Sequence, residues 1–265
     1  MSEDTIWIDS HAHLSMFGEA EVPNLLNRAA EAGVAGVLVP ATGGDDLEAT
    51  LRLAADFPQR IVAAAGVHPH EASLFGTKMK HAIERALERD EVVAVGEIGL
   101  DYHYMNSPRE DQLAALTWQI DLALDSDLPV VLHNRESWAD LESILSGRVG
   151  RLRGVCHSFA EGPEEVRRVV EMGLWVGISG MVTFKAADNI REMVAAAEQH
   201  QVLVETDSPF LAPVPHRGGR NEPSFVPLVG RRLAQEWGRS VEEIAASSTD
   251  GFRELFGIAS DWATL

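Results

Sequence analysis

The residue types in this chain that can do chemistry are imidazoles and carboxylates, and they recur in short clusters. These are Asp9-Ser10-His11-Ala12-His13, His68-Pro69-His70, Glu97, His133-Asn134-Arg135, Cys156-His157 and Glu205-Thr206-Asp207. In an extended segment residues two apart point the same way, so His11 and His13 can share one ion. Imidazoles mixed with carboxylates suit Zn²⁺, Mn²⁺ or Fe²⁺, whereas a mainly carboxylate set suits Mg²⁺ better. A carboxylate such as Glu97 can bridge two ions through its two oxygens. Two ions about 3.5–4 Å apart activate a water and neutralise an in-line displacement at phosphorus. Taken singly, each signal is weak: a lone buried histidine is more often structural, and an isolated His-x-His pair is more often not a metal site. Their weight lies in arriving from independent elements. His81, His103, His200 and His216 fall outside the pattern and are expected to be solvated or helical. Cys156 alternates away from His157, so packing is its expected role. The six tryptophans are scattered, as core or interface residues would be.

The elements that must position these groups alternate along the chain. Apolar, β-branched runs predict strands at 6–9, 36–40, 61–67, 92–96, 129–132, 154–156, 175–178 and 202–205. Helical patterns fall between them at 23–32, 45–56, 78–89, 109–126, 137–145, 163–172 and 189–199. Gly162-Pro163-Glu164-Glu165 places proline and acids in a first helical turn. After Asp207 a proline-rich stretch leads to helices at about 225–237 and 241–256. Eight strands separated by helices imply parallel pairing through right-handed crossovers. In 265 residues that alternation predicts one (β/α)8 TIM barrel spanning 1–265, with no linker or second domain. The metal-competent residues then follow the C-terminal ends of six strands, where barrel enzymes carry their active sites.

Composition narrows the classes further. Apolar residues make up 45% and charged residues 24%, the balance of a soluble globular protein. No run approaches the ~18 apolar residues of a membrane span. The first ten residues hold Glu3, Asp4 and Asp9 and no basic residue, so a secretory signal is not expected. The single cysteine excludes an internal disulfide and suits a cytoplasmic location. With 41 acidic against 22 basic residues and a net charge of −19, the chain lacks the basic surface of a duplex-wrapping protein. A nucleic-acid substrate would have to be held locally, by metal ions and a few cations.

The motifs resemble the TatD family of metal-dependent deoxyribonucleases, a branch of the amidohydrolase-like barrel hydrolases. The matching stretches are IDSHAHL at the start, AAGVHPHEA at 64–72, VGEIGLDYHY at 95–104, SPREDQ at 107–112 and VVLHNRESWADL at 130–141. They continue with GVCHSFAEG at 154–162, WVGISGMVTFKAA at 175–187, LVETDSPFLAPVPHRGGRNEPSFV at 203–226 and FRELFG at 252–257. Two departures are visible. SFAEG follows His157 where the family commonly has CFSG, and Asp250 stands where it commonly has asparagine.

The resemblance implies a ligand set of His11, His13, Glu97, His133, His157 and Asp207 for two divalent ions, Zn, Mn or Mg. One ion would take His11, His13, Glu97 and Asp207, and the other Glu97, His133 and His157. Asp207 would also orient the attacking water and accept its proton, with Glu97 as the second catalytic carboxylate. Glu205 is expected to act from behind the ligands. His68, Arg135 and Lys185 are suited to gripping a phosphate, the arginine by its planar fork of donors. For Arg135 and Lys185 a surface salt bridge is the alternative. The activity implied is hydrolysis of DNA phosphodiesters, single-stranded or from 3′ ends, with no membrane and no obligate protein partner. An amidohydrolase acting on an amide, lactone or aminoacyl ester shares the barrel, the His-x-His pair and the terminal aspartate. Many such two-metal enzymes are bridged by a carboxylated lysine, where this chain offers Glu97. A non-catalytic binding barrel is the third reading, and the completeness of the constellation weighs against it.

Overall fold

The computed structural model describes residues 5–197 and 199–264. Its strands are β1 (Trp7–Asp9), β2 (Val34–Pro40), β3 (Ile61–Ala65), β4 (Val92–Asp101), β5 (Val130–Arg135), β6 (Gly154–Cys156), β7 (Trp175–Ile178) and β8 (Val202–Val204). All pair in parallel and in chain order, β1 through β8, as one sheet. Runs such as VAGVLVP and IVAAA are buried along their whole length, as parallel strands covered on both faces must be. The sheet closes on itself beyond the regular ladders. Ser10 N–H donates to the Val204 carbonyl (3.1 Å), Asp207 N–H to that of His11 (2.9 Å) and His13 N–H to that of Ser208 (2.8 Å). The result is a (β/α)8 barrel.

The helices are α1 (Val22–Glu31), α2 (Gly44–Asp56), α3 (Thr77–Ala86), α4 (Arg109–Asp125), α5 (Trp138–Ser146), α6 (Pro163–Glu171), α7 (Asp188–Ala196), α8 (Val226–Trp237) and α9 (Val241–Phe256). In α1, Val22, Leu25, Leu26 and Ala29 are buried, a one-sided stripe at helical spacing that faces the sheet. The capping box of α9 is complete, with Ser240 Oγ accepting from Glu243 N–H and Glu243 Oε2 accepting from Ser240 N–H. Phe252, Leu255 and Phe256 of α9 join Trp262 in a cluster with Ile8, Leu38, Val131, Val155 and Leu203 from the strands. Trp262 Nε1–H donates to the carbonyl of Pro58, just before β3 (2.9 Å), so this cluster stoppers the N-terminal end of the barrel. The C-terminal end is left to the site. Among the described residues no helix is long and apolar enough to cross a membrane.

Several predicted limits shift. The strand expected at 92–96 runs on to Asp101, and that expected at 129–132 runs on to Arg135. Glu97 and His133 therefore lie within strands rather than after them. The glycines at 96 and 99 lie inside the extended strand, where each admits a close neighbour from β5. A Cβ on Gly99 (φ +152°) would stand 2.0 Å from the His133 carbonyl oxygen of β5. The strands expected at 61–67 and 202–205 stop sooner, at Ala65 and Val204, and β2 starts two residues earlier, at Val34. The helix expected at 189–199 ends at Ala196, and position 198 of that expectation lies outside the described residues.

Candidate metal centre at the barrel mouth

The site is built by the residues leaving β1. His11 and His13 flank Ala12, whose backbone is bridged to Ser208, and their extended spacing turns both rings inward. Both are buried, with Nε2 atoms 3.2 Å apart. Glu97, from the middle of β4, meets them with one oxygen only: Oε2 lies 3.4 Å from His11 Nε2 and 3.5 Å from His13 Nε2. Asp207 Oδ1 completes that group at 3.9 and 3.5 Å from the same two nitrogens. The other oxygen, Glu97 Oε1, stands 2.9 Å from His133 Nδ1 and 2.9 Å from His157 Nε2. Those two nitrogens are 3.3 Å apart. The His11 and His157 rings stack at 3.8 Å, so the two groups share a wall.

This arrangement suits cations. Ligands held about 2.0–2.2 Å from a common tetrahedral centre stand about 3.3–3.6 Å from one another. The first group spans 3.2–3.9 Å and the second is tighter, at 2.9–3.3 Å. Glu97 Oε2, which faces the Nε2 atoms of His11 and His13, is buried with no hydrogen-bond partner among the described residues. Such an orphaned atom is costly unless something else satisfies it. Asp207 sits at φ +58°, a left-handed backbone unusual for a non-glycine residue and typical of constrained functional positions.

The electrostatics follow from packing charge without water. Burial pushes the Glu97 carboxyl up, yet the imidazoles of His157, His68 and His11 outweigh it and hold Glu97 well below the usual carboxylate range. Burial drives His11 below its ordinary value, and drives His68 far below. His157 is buried too, but Glu97 and Glu205 together raise it well above the ordinary histidine range.

The remaining predicted residues divide. Glu205 is fully buried behind His157, with Oε1 3.4 Å from His157 Nδ1 and Oε2 accepting from Ser10 Oγ–H at 3.3 Å. It also accepts the Ser158 backbone N–H. It fits only because β7 offers a glycine: a Cβ on Gly177 would lie 2.1 Å from Glu205 Oε2. His68 comes closer to the centre than a peripheral phosphate grip would require, with Nε2 3.6 Å from Glu97 Oε1. Its Nδ1 accepts the His70 backbone N–H at 3.1 Å. In neutral His68 the proton is therefore on Nε2, which makes that atom a donor and not a ligand. Arg135 is exposed at the end of β5, its guanidinium 4.6 Å over the Tyr104 ring rather than in a salt bridge. Lys185 is exposed and stands seven residues beyond the last residue of β7, past a 3₁₀ turn, not at the strand's end.

Sequence reasoning assigns no role to Asp101 or to Asp9. Asp101 Oδ2 lies 3.3 Å from His133 Nε2 and 3.0 Å from His70 Nε2. Although burial pushes the other way, these hydrogen bonds keep its carboxyl well below the ordinary range. The available signal was the period of two, Glu97-x-Gly99-x-Asp101, on one face of a strand assumed to end too early. Asp9 spans the closing seam, accepting the Thr206 backbone N–H at 2.9 Å and its hydroxyl. Burial pushes its carboxyl up to about 8. Of the histidines set aside, His81 and His103 are exposed, and His216 stacks on Phe225 at 4.1 Å. Cys156 is buried in the core as expected.

A (β/α)8 barrel whose mouth gathers buried imidazoles around a shared carboxylate belongs to the metal-dependent hydrolases. The family described as TatD related DNase matches residues 8–257, and the chain belongs to that family. It is 34% identical over 261 residues to the uncharacterized metal-dependent hydrolase TatD of Mycobacterium tuberculosis, covering 95% of this chain and 98% of that protein. A relative from Pantoea vagans named 3'-5' ssDNA/RNA exonuclease TatD is 36% identical over 241 residues, 89% of this chain and 93% of its own. The crystal structure of YJJV, a TatD homologue from Escherichia coli K12, superposes with a TM-score of 0.89. It shares 32% identity and is matched over 96% of this chain and 98% of its own.

Proposed function

We propose that this hydrolase cleaves DNA phosphodiesters, removing nucleotides from the 3′ ends of single strands, with two divalent ions held side by side. The observation that carries the reading is the division of Glu97, one oxygen toward His11, His13 and Asp207 and the other toward His133 and His157. The first ion would be held by His11, His13, Glu97 and Asp207, and the second by Glu97, His133 and His157. The imidazole-rich set suits Zn²⁺ or Mn²⁺, and availability admits Mg²⁺. When bound, the pair supplies a water of lowered pKa and neutralises charge on the phosphoryl oxygens. Asp207, its side chain 13% exposed at the edge of the cluster, orients the attacking water and takes its proton. The His68 Nε2–H donates to a non-bridging phosphate oxygen. Arg135 presents a planar fork to the next phosphate, and Lys185 offers a charge further out on the rim. Glu205 and Asp101 hold His157 and His133 by their far nitrogens, fixing ring orientation. The name carried by the Pantoea vagans relative supports a single-stranded substrate.

The test is degradation of end-labelled single-stranded DNA by metal-stripped protein with Mg²⁺, Mn²⁺ and Zn²⁺ restored separately. Stepwise loss from the 3′ end that Asp207→Asn abolishes is the expected result. Undiminished activity in Asp207→Asn overturns the assigned role. Turnover of an ester or amide with no phosphodiester cleavage under any ion overturns the substrate class.

A further inference from the structure

Large apolar side chains that stand exposed are not scattered over this molecule. Among the described residues they are Met16, Leu74, Tyr104, Met105, Phe210, Val214 and Val149, and all but Val149 lie on segments that follow the C-terminal ends of strands. They ring the mouth. Two are aromatic, and each adjoins one half of the cluster. The Phe210 ring, 49% exposed, lies 6.1 Å from that of His13. Tyr104, 55% exposed, lies 5.5 Å from His70, whose own ring is 6.5 Å from His133.

Tyr104 is also held in place. Its backbone N–H and that of His103 donate to Asp101 Oδ1 at 2.8 and 3.0 Å. The carboxylate that orients His133 through Oδ2 thus fixes the loop that presents the tyrosine. The Arg135 guanidinium lies 4.6 Å over the ring, and His103 meets it edge-on at 4.8 Å. A rigid, half-exposed aromatic ring with a cation laid on it is the element that single-strand-binding proteins use to stack bases. A chain of net charge −19 has few cations for a long basic groove. Stacking has no such requirement, since it acts on the uncharged base.

We propose that Tyr104, with Arg135 laid over its ring, is a stacking platform that receives an unpaired base of the strand whose phosphate lies at the cluster. The inference rests on the phosphodiesterase reading and adds the source of strand selectivity. A base engaged in a duplex cannot leave its partner to stack on Tyr104 without an unpairing cost, whereas a single strand can.

The experiment uses the Mn²⁺-reconstituted protein and a set of single-stranded oligodeoxynucleotides. Each carries one abasic residue, at the first, second, third or fourth position from the 3′ end. Losing one aromatic stack weakens binding about 5- to 150-fold. The expected result is a KM penalty of that size at one position in the wild type, which disappears in Tyr104→Ala and Tyr104→Leu and persists in Tyr104→Phe. A wild type that degrades all four with equal KM overturns the platform, as does a penalty equal in wild type and Tyr104→Ala. Either pattern leaves the phosphodiesterase reading standing. A wild type that degrades no oligonucleotide overturns both.

Discussion

Asp101 stands to His133 as Glu205 stands to His157, a buried carboxylate on the nitrogen that faces away from the centre. Outer partners of this kind typically govern metal affinity by 10- to 100-fold. Asp101→Asn should lower the affinity for one equivalent of metal by about that factor, read by metal content after dialysis against buffered free Zn²⁺. Retention of both equivalents at unchanged affinity would count against the assignment. Cys156 makes a contrasting prediction. It is fully buried, and desolvation pushes its thiol up to about 12, so the reactive thiolate is absent at pH 8. A disulfide reagent should leave the native protein unmodified and titrate one thiol after denaturation; rapid reaction of native protein would contradict the burial. At this scale the family-like motifs singled out His11, His13, Glu97, His133, His157 and Asp207, and the structure brings these six together. The sequence hid the donor state of His68, which depends on a single backbone N–H from His70, and it hid the exposure of Lys185.

At the scale of elements, the eight-fold alternation was legible because each strand is apolar and each helix one-sided. Boundaries were less so, and the largest miss, in β4, has an identifiable cause. Glycine signals a break in a lone sequence, whereas Gly99 lets β5 come close and extends β4 to Asp101. Gly177 plays the same part in β7 for Glu205. In Gly177→Ala the new methyl would press on a carboxylate that cannot retreat without releasing Ser10, Ser158 and His157. Overpacking of this sort costs about 1–3 kcal/mol. For a chain of this size the melting temperature should fall by about 2–10 °C. Activity should fall with it, and a variant that melts at the wild-type temperature would show that the neighbouring backbone yields.

For the whole molecule, charge and metal set the behaviour. A centre of converging lone pairs is stabilised by the ions it binds, since ligation favours the folded state by about 2.7 kcal/mol at a hundredfold excess over Kd. Chelation should therefore lower the melting temperature by about 5–10 °C, with recovery on adding Mn²⁺ or Zn²⁺. A melting curve indifferent to chelator would mean that the cluster holds no ion. The net charge of −19 repels a polyanion over about 30 Å at 0.01 M salt but only about 10 Å at 0.1 M. The KM for single-stranded DNA should hold or fall across that range. A steep rise with salt would instead reveal an extended cationic track.

The seam that closes the barrel sets residues 9–13 against residues 204–208, so each half of the centre waits on the opposite end of the chain. During synthesis β1 through β7 are made before Glu205 and Asp207 exist. An interrupted chain carries His11, His13, Glu97, His133 and His157 but lacks Asp207, the carboxylate of Glu205 behind His157 and the closed wall. The centre is thus complete only when the eighth strand docks against the first.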